Sequence, residues 1–197
     1  MPRRYKAQPA RMIALRLPIP PRRKLDPDIR KYFDLCDEKI GFVPNVLAAY
    51  SFDQAKLRAF MAMYNDLMLG ESRLDKLERE MIAVVVSAAN RCYYCLTAHG
   101  QAVREMSGDP SLGETLVMNW RVAQVTPRQR AMLEFAHQLT VDPANTGAAA
   151  RRALKRAGFS DRDTWDIAAV AAFFNMTNRL ATATDMMPNE EYLAKSR

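Results

Sequence analysis

The sequence predicts an all-α protein. Past residue 25 no stretch alternates apolar and polar residues as a half-buried strand would, while several long segments repeat apolar side chains at spacings of three and four. The punctuation agrees. Asp-Pro, Thr-Pro and Ser-Asp pairs open these segments and glycines close several of them.

The elements follow in order. Residues 1–24 are a basic, proline-rich N-terminal arm, with Pro2, Pro9, Pro18, Pro20 and Pro21 among eight basic residues and no acid. Its Met12, Ile13, Leu15, Leu17 and Ile19 are more apolar surface than a solvated tail needs, so the arm is expected to lie against protein, across a subunit boundary. Residues 25–197 read as a single helical domain. Asp26-Pro27 opens a helix that Gly41 ends, and Pro44-Asn45 begins a short one reaching Tyr50. Residues 52–69 set Leu57, Phe60, Met61, Tyr64, Leu67 and Met68 in a three-four pattern until Gly70 stops it. Residues 74–89 form a second long helix, charged at first and then apolar on nearly every side, which belongs in the core. Asn90-Arg91 interrupts it, and Asn90 reads as the N-cap of a further helix. Asp109-Pro110 opens a helix ending near Trp120, and Thr126-Pro127 opens one with Met132, Leu133, Phe135 and Leu139 on its apolar face, ended by the loop 141–146. Residues 148–157 are helical with Gly158 after them, and Ser160 caps a long apolar helix to about Thr184. Residues 74–99 and 159–184 echo each other: a capped acidic opening, an apolar run, then Asn90 in the first and Asn175 or Asn178 in the second. This suggests a duplicated two-helix unit.

Composition bounds the function. A chain of 197 residues, 49% hydrophobic and 26% charged, buries a core without disulfide staples. Its three cysteines, with Cys36 far from the other two, suit a reducing compartment, and a cytoplasmic location is expected. The longest uncharged apolar runs, 82–89 and 167–174, fall far short of the roughly 20 residues that span a bilayer, so no membrane association is expected. Arg16 interrupts the apolar segment 12–17 and no small-residue cleavage site follows, which argues against an export signal. The net charge of +7 is local: eight of 29 basic residues lie in the arm, leaving 21 against 22 acidic residues in the body. Nucleic acid is therefore not an expected partner.

The chemistry concentrates in one constellation, Glu80-x11-Cys92-x2-Cys95-x3-His99. On a helix the offsets of three, four and seven put Cys92, Cys95 and His99 on one face. Two thiols one turn apart can close a disulfide, and an imidazole one turn further can move the thiol proton, with no metal and no cofactor required. At a helix N-terminus the free amides and the dipole would favour a thiolate. Zinc is the weaker reading, because three ligands on one helix converge poorly on a tetrahedral centre. His137, between Phe135 and Leu139, and Cys36 read as core residues.

Glu80, Cys92, Cys95 and His99, in the context Ser-Ala-Ala-Asn-Arg-Cys-Tyr-Tyr-Cys-Leu-Thr-Ala-His, resemble the alkylhydroperoxidase D-like group of the carboxymuconolactone decarboxylase superfamily, in its uncharacterised peroxidase-related branch. The specific match covers about residues 72–106, and the helical pattern with Ile-Gly-Phe-Val-Pro-Asn at 40–45 extends it over most of the chain. The resemblance implies an alkylhydroperoxidase D-like helical bundle and homo-oligomeric assembly as a dimer, trimer or hexamer. It also implies peroxide reduction by the cysteine pair with a proton relay through Glu80 and His99. One position departs: Tyr94 stands where alkylhydroperoxidase D has a histidine between its cysteines.

From the groups themselves, one thiolate attacks the terminal oxygen of a hydroperoxide substrate, becomes a sulfenic acid, and is resolved by the other cysteine as a disulfide. An external thiol or dithiol reductant, which can be a protein, then resets the pair. Cys95 is the expected attacking sulfur because His99 lies one turn beyond it, with Cys92 resolving; the reverse order stays open, since the first cysteine of such pairs can be the acidic one. Glu80 would orient His99 or exchange a proton with the thiols. Tyr94 could donate a phenolic hydrogen bond in the relay. Two other classes compete: a disulfide reductase or redox adaptor using the same dithiol, and a cofactor-free, decarboxylase-like enzyme of the same fold. For Glu80 to serve the thiols, the chain must turn between Ala89 and Cys92. A straight helix would hold Glu80 and Cys92 roughly 18 Å apart, at 1.5 Å per residue.

Overall fold

A computed structural model of the protein describes residues 12–197. Residues 1–11, and with them the first half of the basic arm, lie outside the described residues. Among the described residues there are ten α-helices and no strand: α1 (Pro27–Ile40), α2 (Asn45–Tyr50), α3 (Gln54–Leu69), α4 (Lys76–Asn90), α5 (Tyr93–Ser107), α6 (Pro110–Asn119), α7 (Pro127–Val141), α8 (Ala148–Arg156), α9 (Asp161–Ala183) and α10 (Glu191–Ala194). None is long and apolar enough to cross a membrane.

The organising element is α4, which packs against α3, α5, α6, α7 and α9. A capping box opens it: Asp75 accepts from the Glu78 amide while the Glu78 side chain accepts from the Asp75 amide. Every residue from Glu78 to Ser87 is buried, as its all-round apolar character requires. Two charged groups in that stretch are accounted for. The Arg79 guanidinium donates to the carbonyls of Leu67, Gly70 and Leu74, tying off the end of α3. Glu78 pairs with Arg128, whose guanidinium lies over the Phe159 ring.

Most predicted boundaries match to within a residue or two. The helix expected from residue 52 begins at Gln54, because Asp53 caps it by accepting from the amides of Ala55 and Lys56. The Asn90 assignment is corrected. Asn90 is the last residue of α4, Arg91 is its left-handed C-cap at φ 54°, and Cys92 is the N-cap of α5. The reason is that the Arg91 and Cys92 amides are both taken by α4 carbonyls, of Ala88 and Ser87, in the pattern of a Schellman ending. The sequence echo maps onto different backbones: the first copy breaks at Arg91, whereas α9 runs unbroken through Asn175 and Asn178. The short α10 had no signal in the sequence reading.

Residues 12–14 pair with residues 184–187. Ala14 N donates to Thr184 O and Met187 N to Met12 O, at 2.8 and 2.9 Å. This pairing buries Ile13 with Met186, Ala181, Cys92, Tyr94 and Cys95 in a small apolar cluster. The described part of the arm thus lies on its own domain.

The α5–α6 contact depends on two glycines. A Cβ at Gly113 would stand 2.5 Å from Arg104 Cγ and 3.0 Å from Gly100 O. Gly113→Ala should therefore lose about 1–3 kcal/mol to overpacking, against about 1 kcal/mol of helix propensity gained. A lower Tm in thermal denaturation is expected; an equal or higher Tm would show that the two helices separate freely.

Candidate dithiol site

The turn at Arg91 folds α5 back along α4 and sets every group of the site. Cys92, as N-cap, accepts from the Cys95 amide at 3.4 Å. The two sulfurs, both free thiols, lie 2.7 Å apart. Both residues are buried, at 1% and 3% exposure. Their environments nonetheless differ in kind. The hydrogen bond from the Cys95 thiol lowers the Cys92 thiol to about 7 against the opposing effect of burial, helped by the Cys95 amide, the Thr182 side chain and the nearby His99. Cys95 is pushed strongly upward by its hydrogen bond to the Cys92 sulfur, by burial and by the charge on Cys92. Cys92 is thus the more acidic of the pair and Cys95 the thiol that donates to it, as expected for a sulfur that accepts a helix N-terminal amide.

Glu80, in the second turn of α4, meets His99, in the second turn of α5. Glu80 Oε2 lies 2.6 Å from His99 Nδ1, with side-chain exposures of 6% and 14%. Neighbouring bases do not compete for Glu80: Arg79 is spent on carbonyls, and Arg73 pairs with Asp163 at 3.1 Å. With Nδ1 engaged, Nε2 is the ring nitrogen left for proton exchange. The imidazole is steadied by an edge-on contact with Phe174, centroids 4.6 Å apart.

Tyr94 reaches away from its own helix to α2. Its hydroxyl accepts from the Val46 amide at 3.1 Å, tying α5 to α2. Burial raises its phenol well above the usual range. Tyr94 lines the same cavity as Cys95.

A cavity of about 550 Å³ opens above the site. Cys95, His99 and Glu80 line it; Cys92 does not. Its walls are largely aromatic and aliphatic, with Tyr64, Phe60 and Phe173 on one side and Tyr192 on another, and Lys39, Lys76 and Glu105 also line it. Cys36, read from the sequence as core, is half-buried on this cavity, and burial with the nearby Asp37 pushes its thiol up to about 11. His137 packs on Trp120, centroids 5.4 Å apart. The sequence reading missed Ser87, Thr182, Tyr64 and Tyr192, which carry no motif. Asn178 was noted only as part of an echo.

The model of the Carboxymuconolactone decarboxylase family matches residues 54–138, from α3 into α7, and so spans the α4–α5 hairpin. An uncharacterized peroxidase-related protein from Silicibacter sp. TM1040 is 59% identical, with a TM-score of 0.93 over 97% of this chain and 99% of that one. A second, from Ralstonia eutropha JMP134, described as an alkylhydroperoxidase AhpD core, is 40% identical, with a TM-score of 0.90 over 95% and 97%. The apo debrominase Bmp8 is similar in fold, at 19% identity and a TM-score of 0.76 over 95% and 97%. No curated protein matches the chain.

The asymmetry of the thiols is measurable. Thiolate forms as pH rises through the pKa, so alkylation of Cys92 should switch on around pH 7. Cys95→Ala removes the donor thiol and should move that midpoint upward. Iodoacetamide labelling with peptide mapping across pH reads both; a midpoint that stays put in Cys95→Ala would break the assignment of the shared proton.

Proposed function

The chain belongs to the carboxymuconolactone decarboxylase family, in its alkylhydroperoxidase D-like group, and from that premise we propose that it is a thiol-dependent peroxidase reducing organic hydroperoxides. One observation carries the reading: a free dithiol whose Cys95 lines an apolar cavity that the buried carboxylate–imidazole pair also lines.

Cys95 is the attacking sulfur in this reading, because it is the thiol that lines the cavity. Its proton passes to the Cys92 sulfur across the 2.7 Å contact. The Cys95 thiolate takes the terminal oxygen of the hydroperoxide, the O–O bond breaks, and the departing alkoxide takes a proton from His99 to leave as alcohol. Cys92 gives its proton back through the His99–Glu80 pair and attacks the sulfenic acid. A disulfide forms and water leaves. An external thiol or dithiol, which can be a protein, supplies two electrons and two protons to restore the pair. The buried Glu80 holds His99 in one orientation, the role of an acid behind an imidazole. An aromatic and aliphatic chamber of this size exceeds what hydrogen peroxide needs and fits a bulky apolar group on the substrate. That chamber also favours peroxide reduction over the redox-adaptor reading, which needs an exposed dithiol.

Assembly as a homo-oligomer completes the proposal. Met118, Val122 and Trp165 are 77%, 62% and 73% exposed, the kind of surface that subunit contacts cover. Light scattering at micromolar concentration should give a mass of at least twice 22.4 kDa; a monomer would refute assembly.

Activity is tested by following hydroperoxide loss with a dithiol donor. Cumene hydroperoxide should be consumed faster than hydrogen peroxide, Cys95→Ser should abolish turnover, and Cys92→Ser should leave a trappable Cys95 sulfenic acid. Glu80→Gln and His99→Asn should each lose about 10²–10⁴-fold in rate, the usual worth of positioned proton transfer. Undiminished turnover in Cys95→Ser would overturn the assignment of the nucleophile.

A further inference from the structure

The cavity beside the dithiol is long, and its two ends differ in chemistry. On α5 its lining runs from Cys95 to Met106, about three turns of helix and 16 Å at a rise of 1.5 Å per residue. The Cys95 end is buried, with Cys95 at 3% exposure. The other end is open: Met106, Leu69 and Leu35 line the cavity and are 47%, 53% and 46% exposed. Lys39 and Lys76, both exposed, line it as well.

Contacts elsewhere in the fold put both lysines at the open end. Glu80 faces His99 across the α4–α5 hairpin, whose helices run in opposite directions. Lys76, one turn before Glu80, therefore stands beside the part of α5 that follows His99 and leads toward Met106. For α1 the marker is its last residue. Ile40 O accepts from Lys195, whose own carbonyl accepts from Arg104, which sets Lys39 near the Arg104 turn of α5 and away from Cys95. Neither ammonium is committed. Among the described residues no carboxylate pairs with Lys76, and Lys39 meets only Glu38, its neighbour in sequence, in a solvated pair that exchanges readily. The acid on this rim, Glu105, is engaged by Gln101 at 2.6 Å.

We propose that the cavity takes a carboxylate-headed, fatty-acid-type hydroperoxide: the chain lies along the apolar walls, the hydroperoxide reaches Cys95, and Lys76 and Lys39 bind the carboxylate at the mouth. The proposal rests on the peroxidase reading above and names its substrate class. A pocket that is apolar along its length, with a few polar groups gathered in one place, orients its ligand through those groups. Cations at the end opposite the reactive sulfur hold the head away from the hydroperoxide by the length of the chamber. An uncharged substrate gains nothing from them. The chemistry is that of the dithiol. The O–O bond breaks, and one oxygen passes to Cys95 and leaves as water when Cys92 closes the disulfide. The substrate departs as a hydroxy acid, and the dithiol donor returns two electrons and two protons.

The test uses the full-length protein and two readouts. With a dithiol donor, the hydroperoxide of linoleic acid should show a kcat/KM about tenfold above that of its methyl ester, the worth of a hydrogen bond to a charged group. Lys76→Ala should cut that acid-over-ester ratio severalfold, Lys39→Ala should act in the same direction, and Glu105→Gln should raise it. All three side chains are exposed, so the variants keep the fold. Isothermal titration with decanoate and with decanol reads binding without any peroxide. Decanoate should bind about tenfold tighter, and Lys76→Glu should abolish the difference. Equal binding of decanoate and decanol, or an acid preference that Lys39→Ala and Lys76→Ala together leave in place, would overturn the proposal. Tight, lysine-dependent binding of decanoate by a protein that reduces no hydroperoxide would instead refute the peroxidase reading alone and leave the carboxylate site standing.

Discussion

The left-handed turn at Arg91 is the constraint on which the site depends. A non-glycine residue in that conformation costs on the order of 1–2 kcal/mol, and it persists because its surroundings over-determine it. The amides of Arg91 and Cys92 close back onto the last turn of α4, and the hairpin they form buries one flank of α4 under α5. Each fully buried aliphatic side chain on α4, such as Ile82 or Val86, is worth roughly 1.5–3 kcal/mol. The packing therefore outweighs the strain. Without the turn, Glu80 and His99 would be many turns apart on one rod; with it they are 2.6 Å apart.

The same turn separates two chemically identical thiols. Cys92, just outside α5, takes the place of a capping side chain and receives an amide hydrogen bond. Cys95, inside the helix, has its own amide spent on Cys92 and faces the cavity. Low polarity enlarges the difference, since a buried sulfur answers to the few dipoles that touch it. The dipoles come from separate places: the α5 amide on Cys92 and the Glu80–His99 pair across the hairpin. Ile13, Met186 and Tyr192 complete the enclosure.

The fold is shared with proteins of very different sequence, the debrominase among them at 19% identity. Architecture alone does not set chemistry. On that fold this chain carries the dithiol with its paired acid and imidazole, and a tyrosine between the cysteines whose hydroxyl accepts from the Val46 amide. A phenol engaged in this way shapes the cavity wall, where a histidine would bring a titrating group.

The sequence by itself determined the helical class, most helix boundaries, and the four residues Glu80, Cys92, Cys95 and His99. It could do so because these are local properties: a period of 3.6 residues, capping residues at fixed offsets, and reactive groups at one-turn spacing. It also required a turn before Cys92, from the reach of a straight helix. Only the tertiary structure decided what lies across the hairpin. Asn90 has equal local claims to end α4 or to cap α5, and the choice is decided by the Arg91 and Cys92 amides, which both close onto α4 carbonyls. Tyr94 carries no local sign of facing Val46, nor Asn178 of reaching Ser87, because those partners lie 48 and 91 residues away. Contacts at such separations have no spacing to read; they exist only once burial has brought the helices together.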